Sequence, residues 1–288
     1  MLKRWLVLIV GLNAALILAV IYVLKADIGK PKKQLFRDPY YEEEVFEKPH
    51  DIIDIATSSA KVVRRKVPIV MYHYVDYPKE DYDRMRKSLT MLPSVLDNQI
   101  ETLIRKSYVT YFVSDVEAIL QEKDFSKKPV VLTFDDGYED FYYQVLPILM
   151  KRRAKATLYV ITNYIGRTGF LTKKELEEII ESGLVEIGAH TLDHAYLKGM
   201  SETMAFEQIL ESKNKLEELF NIKVTSFAYP YGAFDSKTAD LVRQAKFANA
   251  VTVVKGIYQT DEELFFLNRI RAGSLGTGDH ITSVLEKD

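Results

Sequence analysis

Cysteine is absent from all 288 residues. That excludes disulfides, thiolate nucleophiles and thiolate metal sites, and it leaves histidine, aspartate and glutamate as candidate metal ligands. A basic excess is also missing, because 39 Lys and Arg stand against 41 Asp and Glu, a net charge of −2. The global positive field that nucleic acid selects is therefore lacking, and no nucleic-acid partner is expected. The chain has no glycine-rich phosphate loop, internal repeat or low-complexity tract, so a nucleotide site has no support. What remains is 47% apolar and 28% charged residues, the proportions of a globular protein.

Only one long uncharged apolar run occurs. After Lys3 and Arg4, Trp5 to Leu24 carries no charge and a single strongly polar residue, Asn13. About twenty helical residues span roughly 30 Å, the thickness of a bilayer core. No clear small-x-small cleavage site precedes Lys25, so an uncleaved signal anchor is expected rather than a cleaved signal peptide. Lys3 and Arg4 favour a cytoplasmic N-terminus, although Lys25, Lys30, Lys32 and Lys33 follow the run. The expectation is a single-pass protein of the cell membrane with an extracellular body. Residues 25–66 hold Pro31, Pro39, Pro49, an acidic patch at Glu42 to Glu44 and a basic patch at Arg64 to Lys66. Without a sustained period they read as a solvated tether, and His50 within them as a surface residue.

Residues 67–288 alternate strands with helices. Strands are expected at Val67 to Tyr72, Tyr108 to Val113, Val130 to Phe134, Ala156 to Ile161, Leu184 to Ala189, Val224 to Tyr229 and Ala250 to Val254. Helices are expected at Ser94 to Lys106, Ser114 to Glu122, Tyr142 to Arg153, Thr172 to Ser182, Ser201 to Phe220 and Ser236 to Lys246. Thr172 and Glu175 form a capping box, and Gly183 stops that helix. Alternation of this kind implies a parallel sheet. Roughly seven units in about 220 residues fit one closed or nearly closed (β/α) barrel, with an open doubly wound sheet as the alternative.

The chemistry gathers where these strands end. Val130 to Phe134 runs directly into Asp135, Asp136 and Gly137. Two carboxylates at the end of a buried strand need a cation, a metal or hydrogen bonds to compensate them. The next such stretch is Ile187-Gly188-Ala189-His190-Thr191-Leu192-Asp193-His194. Histidines four apart on a helical turn share a side, with Cβ atoms about 5–6 Å apart, and can share a metal. Two imidazoles and one carboxylate leave coordination positions open, as hydrolysis requires. Either Asp135 or Asp136 could supply that carboxylate.

Thr133-Phe134-Asp135-Asp136-Gly137 together with His190-Thr191-Leu192-Asp193-His194 resembles the polysaccharide deacetylases of carbohydrate esterase family four, over about residues 67–275. The resemblance implies a distorted (β/α) barrel. It implies Asp135 as general base, with Asp136, His190 and His194 holding a divalent metal, commonly zinc. It also implies a carbohydrate substrate carrying acetyl groups.

The remaining motifs depart from the common pattern. The usual Arg-x-Pro-Tyr is replaced by Ala228-Tyr229-Pro230-Tyr231-Gly232, so Pro230 and Tyr231 match while Ala228 stands in the arginine's place. By resemblance, the Tyr231 backbone N–H faces the oxyanion. Asn268-Arg269-Ile270-Arg271 is similar to the C-terminal arginine segment of poly-N-acetylglucosamine deacetylases, which makes Arg269 the replacement that orients Asp135. His280 lies in a glycine-containing stretch that reads as a flexible tail. His73, in Tyr72-His73-Tyr74, follows the first strand and resembles a Tyr-His of the same branch, so it takes the general-acid role. Tyr138, Tyr142 and Tyr164 are candidates to stack on sugar rings, and Tyr138 and Tyr231 are the residues expected to bind substrate.

The expected activity is metal-dependent N-deacetylation of N-acetylglucosamine units in an extracellular polysaccharide, poly-N-acetylglucosamine or peptidoglycan, by a monomer held at the membrane. The spacing of His190 and His194 is the general family spacing, whereas the poly-N-acetylglucosamine branch often has one more residue between them. The competing readings are a carbohydrate-binding pseudoenzyme of the cell surface and an O-acetyl esterase of the xylan type on the same fold.

Overall fold

The computed structural model describes residues 62–79, 82–122, 127–272 and 276–286. The Trp5 to Leu24 run, His50 and nearly all of the tether lie outside them. Among the described residues no helix is long and apolar enough to cross a membrane.

Eight strands carry the fold: β1 (Ile69–Tyr72), β2 (Tyr108–Tyr111), β3 (Lys128–Phe134), β4 (Ala156–Val160), β5 (Val185–Ala189), β6 (Ser226–Ala228), β7 (Asn249–Lys255) and β8 (Leu267–Arg271). Seven of them close a parallel ring in the order β1, β3, β4, β5, β6, β7, β8, with β8 returning to β1. Met71 lies opposite Thr133 across β1 and β3, which sets the ends of these two strands side by side. The remaining strand, β2, pairs with the first half of β3. Helices α1 (Pro93–Arg105), α2 (Val116–Gln121), α3 (Leu146–Arg152), α4 (Lys173–Glu181), α5 (Glu202–Phe220), α6 (Ser236–Gln244) and α7 (Gly278–Glu286) make the crossovers and the C-terminal end.

A parallel strand covered on both faces must be apolar throughout. Val130, Val131 and Leu132 have no exposure, and Phe134 has 1%. Alternate residues divide between two cores, as a filled barrel requires. Ile69, Val131, Tyr159, Ala228, Val251 and Leu267 meet inside the ring. Val70, Val130, Leu132, Leu158, Phe227 and Ile270 pack outward with the helices.

The structure differs from the sequence reading in several places. Strand β8 was not anticipated, because Leu-Asn-Arg-Ile-Arg lacks the apolar signature of a buried strand. It nevertheless closes the ring, with Arg269 at 1% exposure. The presumed flexible tail around His280 is helix α7. Its Ile281 and Leu285 are fully buried, Gly278 N–H donates to Asn98 on α1 at 2.9 Å, and a Cβ at Gly278 would lie 2.2 Å from Thr102. Arg64–Lys66, read as the end of the tether, form a short strand antiparallel to Tyr258–Thr260. The helix expected from Tyr142 opens with a π-helical turn over Phe141–Val145 before α3 begins.

Helix α1 is clamped to α3 by charge. Arg152 Nε donates to Asp97 Oδ1 at 2.6 Å, Lys151 Nζ donates to Asp97 Oδ2 at 2.8 Å, and Arg152 Nη1 donates to Glu101 at 2.8 Å. The Arg152 hydrogen bond above all lowers the Asp97 carboxyl from 3.8 to about 2. A depressed carboxyl stabilises the fold above its unfolded value and loses that contribution as pH falls through the folded one. In this solvated setting Asp97→Asn is expected to cost about 1 kcal/mol at pH 7. The melting-temperature gap to wild type should close as the pH is lowered from 3.8 toward about 2. A gap that stays constant over that range would refute the ion-pair account.

Candidate active site

In a closed parallel barrel, the residues just beyond the C-terminal strand ends share one face. His73 follows β1, Asp135 and Asp136 follow β3, His190 follows β5, and Tyr229 to Tyr231 follow β6. Arg269 lies within β8, level with Lys255 at the end of β7. The residues singled out in the sequence are therefore gathered from strands far apart in the chain.

The turn after β3 separates the two carboxylates. Asp136 and Gly137 both have φ of 78°, in the left-handed region. Asp135, before that turn, points into the barrel and is 3% exposed. Arg269 grips it with both ends of its fork, Nη1 donating to Oδ1 and Nη2 to Oδ2, each at 2.8 Å. The rest of the guanidinium is also used. Nε donates to the Thr252 carbonyl at 2.7 Å, and Nη1 also donates to Thr133 Oγ1 at 3.1 Å. Burial alone would raise the Asp135 pKa, but the charge and hydrogen bonds of Arg269 hold it below the ordinary value. Asp135 is thus ionised and fixed in orientation. His73 Nε2 lies 3.9 Å from Asp135 Oδ2. Burial lowers the His73 pKa, Asp135 and Asp136 oppose that effect, and Arg269 and Arg271 add to it.

Asp136 faces the two histidines. Its Oδ1 is 3.4 Å from His190 Nε2 and 3.3 Å from His194 Nε2. One ligand atom from each residue lies within 4.8 Å of the others. His190 Nδ1 is 2.8 Å from the Ala228 carbonyl, so it carries the proton and Nε2 presents its lone pair toward Asp136. Asp136 Oδ1 is buried and, among the described residues, has no hydrogen-bond partner. An orphaned buried carboxylate oxygen beside two imidazole nitrogens is costly unless a cation sits between them. The donor set of two nitrogens and one oxygen suits zinc and leaves further positions open.

The electrostatics agree with that fit. Burial would raise the Asp136 pKa, yet His190, His73 and His194 together hold it well below the carboxylate range. Burial would lower the His190 pKa, but Asp136 outweighs it and moves the group up. Both shifts express the attraction between the Asp136 carboxylate and the imidazoles that face it. His194 is pushed down to about 4 by burial and by His190, which keeps its lone pair available.

The histidine spacing works through a different geometry from the helical turn that four-residue spacing suggests. Thr191 and His194 take φ of 63° and 57°, so a left-handed turn brings the imidazoles together, with ring centroids 4.9 Å apart. Tyr231 also lies in the left-handed region, at φ 59°, in the turn Pro230–Gly232. The residue is 57% exposed, and its ring centroid is 4.4 Å from that of His194. Gly232 is required there, since its φ is 69° and a Cβ would lie 2.2 Å from Val253.

Residues 122–250 match the family model for polysaccharide deacetylases. A Staphylococcus epidermidis poly-β-1,6-N-acetyl-D-glucosamine N-deacetylase is 30% identical over 194 residues, 62% of this chain and 67% of that protein. The chain belongs to the polysaccharide deacetylase family. The Streptococcus pyogenes deacetylase PplD, solved in complex with acetate, shares the fold with a TM-score of 0.70 at 28% identity, covering 77% of this chain and 99% of that one. A polysaccharide deacetylase from Bacillus cereus gives a TM-score of 0.69 at 25% identity, covering 77% and 70%.

Within this family member, the tyrosines named from the sequence separate. Tyr138 is half-buried in an aromatic cluster, stacked on Tyr74 with centroids 3.8 Å apart and tilted against Phe170 at 5.0 Å. Burial first, and then the Asp136 charge, raise its pKa. Tyr164 meets Phe170 edge-on, with ring centroids 4.9 Å apart. Tyr142 instead donates a hydrogen bond to Glu178 on α4 and does not join the cluster. His280 is exposed, on the outer side of α7.

Several supporting residues were missed. Thr133 bridges Arg269 and the Val70 carbonyl, to which its hydroxyl donates at 3.0 Å. Tyr159 fills the barrel under the site and shares a 2.6 Å hydrogen bond with Ser226. Gly188 makes room for it, since a Cβ there would lie 2.4 Å from the Tyr159 ring. The available signal was polar residues at inward positions of otherwise apolar strands.

Proposed function

We propose that this chain is a metal-dependent N-deacetylase acting on N-acetylglucosamine units of an extracellular polysaccharide. The observation that carries the reading is the division of labour after β3. Asp135 is fixed and ionised by Arg269, while the adjacent Asp136 offers an oxygen that has no hydrogen-bond partner among the described residues to a site shared with His190 and His194. The name of the S. epidermidis relative supports an N-acetylglucosamine polymer as the substrate class.

A divalent metal held by Asp136, His190 and His194, zinc in this reading, would supply Lewis acidity toward the acetamide carbonyl and toward water. The chain's own groups then do the proton work. Asp135 accepts a proton from the water as its oxygen bonds to the carbonyl carbon. The Tyr231 backbone N–H is assigned to the developing oxyanion, a contribution of about 3–4 kcal/mol for one such donor. His73 gives a proton to the sugar nitrogen as the C–N bond breaks, releasing acetate and a free amine. The burial that lowers the His73 pKa also makes the protonated ring a stronger donor. Tyr138 is assigned to the sugar. The Trp5 to Leu24 run is assigned to a signal anchor that holds a monomer at the outer face of the cell membrane, a reading supported by its length and lack of charge.

The test is acetate release by the full chain in detergent from poly-N-acetylglucosamine, peptidoglycan and chitin oligomers, with a matched O-acetylated xylan. Release from an N-acetylated polymer, abolished by a chelator and restored by zinc, is expected. Retention on a glycan without acetate release by zinc-loaded protein would favour the binding-module reading. Preference for the O-acetylated polymer would favour the esterase.

A further inference from the structure

The loop that carries His194 is held by side chains that the proposed reaction does not use. Thr191 and His194 sit in the left-handed region, which non-glycine residues occupy only when their surroundings enforce it. Between them is Asp193. Its carboxylate accepts hydrogen bonds from Asn163 Nδ2 at 2.9 Å and from Gln208 Nε2 at 3.0 Å. Its backbone N–H donates to Gln208 Oε1 at 3.1 Å. Gln208, on α5, therefore grips Asp193 with both ends of its amide, and only this amide orientation satisfies both contacts. From the other side, the Asn163 backbone N–H donates to the Leu192 carbonyl at 2.9 Å and that of Thr162 to the Thr191 carbonyl at 3.2 Å. The Ala195 N–H closes the turn on Thr191 Oγ1 at 3.0 Å.

We propose that Gln208 is a positioning residue for His194. By clamping Asp193 it fixes the left-handed turn that aims the His194 imidazole at Asp136, and so sets the affinity of the site for a divalent cation. The proposal rests on the reading of Asp136, His190 and His194 as metal ligands. Loss of such a supporting contact weakens metal binding by about tenfold or more.

The test is the zinc affinity of the full chain, measured by competition with a chromophoric chelator, alongside thermal melting of the metal-free protein. Gln208→Leu is expected to weaken zinc binding about tenfold while the metal-free melting temperature changes little. Gln208→Glu sets one carboxylate against another and should weaken it further. The double variant D193N/Q208E reverses the polarity of the pair, with the new amide donating to the new carboxylate, and should recover most of the affinity. Unchanged affinity in Q208E, or a double variant no better than Q208E, would overturn the proposal. A fall in affinity matched by an equal collapse of metal-free melting would reduce Gln208 to a structural residue and overturn it as well. Wild-type chain that takes up no zinc would overturn the metal reading and this proposal with it, which separates the two failures.

Discussion

Arg269→Leu is expected to destabilise the domain by about 3–5 kcal/mol and to lower acetate release about a thousandfold. Both effects have one cause. Asp135 is 3% exposed and Arg269 1%, and their two 2.8 Å hydrogen bonds are the main compensation for a carboxylate taken out of water. Removing the guanidinium leaves that charge buried and unpaired. The carboxyl responds by raising its pKa until it binds a proton, and a protonated acid cannot serve as the base. Arg269→Lys should return part of the stability but little of the activity. A single ammonium cannot reproduce a fork that holds Asp135, Thr133 and the Thr252 carbonyl together. The two contributions separate in D135L/R269L, which removes both charges. It should melt higher than R269L and stay inactive. Thermal melting with acetate release on the same samples decides the matter. An R269L protein that melts like wild type would show that Asp135 finds its compensation elsewhere.

That pair also marks the limit of what the sequence makes legible. Strands such as Val130 to Phe134 are readable because a strand covered on both faces must be apolar, and the acids and histidines at strand ends stand out against those runs. Strand β8 is unreadable for the same reason inverted, since one of its inward positions is an arginine whose partner lies 134 residues away. Periodicity carries no information about which distant charges meet inside a ring. Helix α7 was hidden by the glycines before it, although Ile281 and Leu285 stand four apart on its buried face. The absent motif arginine has a simple geometric counterpart. Ala228 is buried inside the ring, its carbonyl serves His190, and the cation reaches Asp135 from β8 instead. Tyr138 and Tyr142 lie in one short stretch, yet one turns toward Asp136 and the other toward α4. Tyr142 lies in the π-helical turn at Phe141–Val145, which no pattern announced. The assignment of base and ligand to Asp135 and Asp136 came from family resemblance. The left-handed Asp136 backbone supplies a physical reason why two adjacent carboxylates can face different partners.

Asp136→Ala is the substitution expected to have the largest effect on metal binding. Wild-type protein in zinc at about 100 times the dissociation constant should gain about 2.7 kcal/mol over its metal-free form, because only the folded state presents the site. The alanine variant loses the carboxylate that faces both histidine nitrogens, so its melting temperature should not respond to zinc, and acetate release should fall about a thousandfold or more. The metal-free proteins serve as the control. His190, His73 and His194 hold the Asp136 carboxyl below its ordinary range, so its charge also stabilises the metal-free fold, and metal-free D136A should melt below metal-free wild type. The zinc-dependent rise in melting temperature, taken between loaded and metal-free samples of each protein, therefore isolates what the carboxylate contributes through the cation. A D136A protein that still melts higher in zinc, or that still releases acetate, would move the metal away from Asp136, His190 and His194.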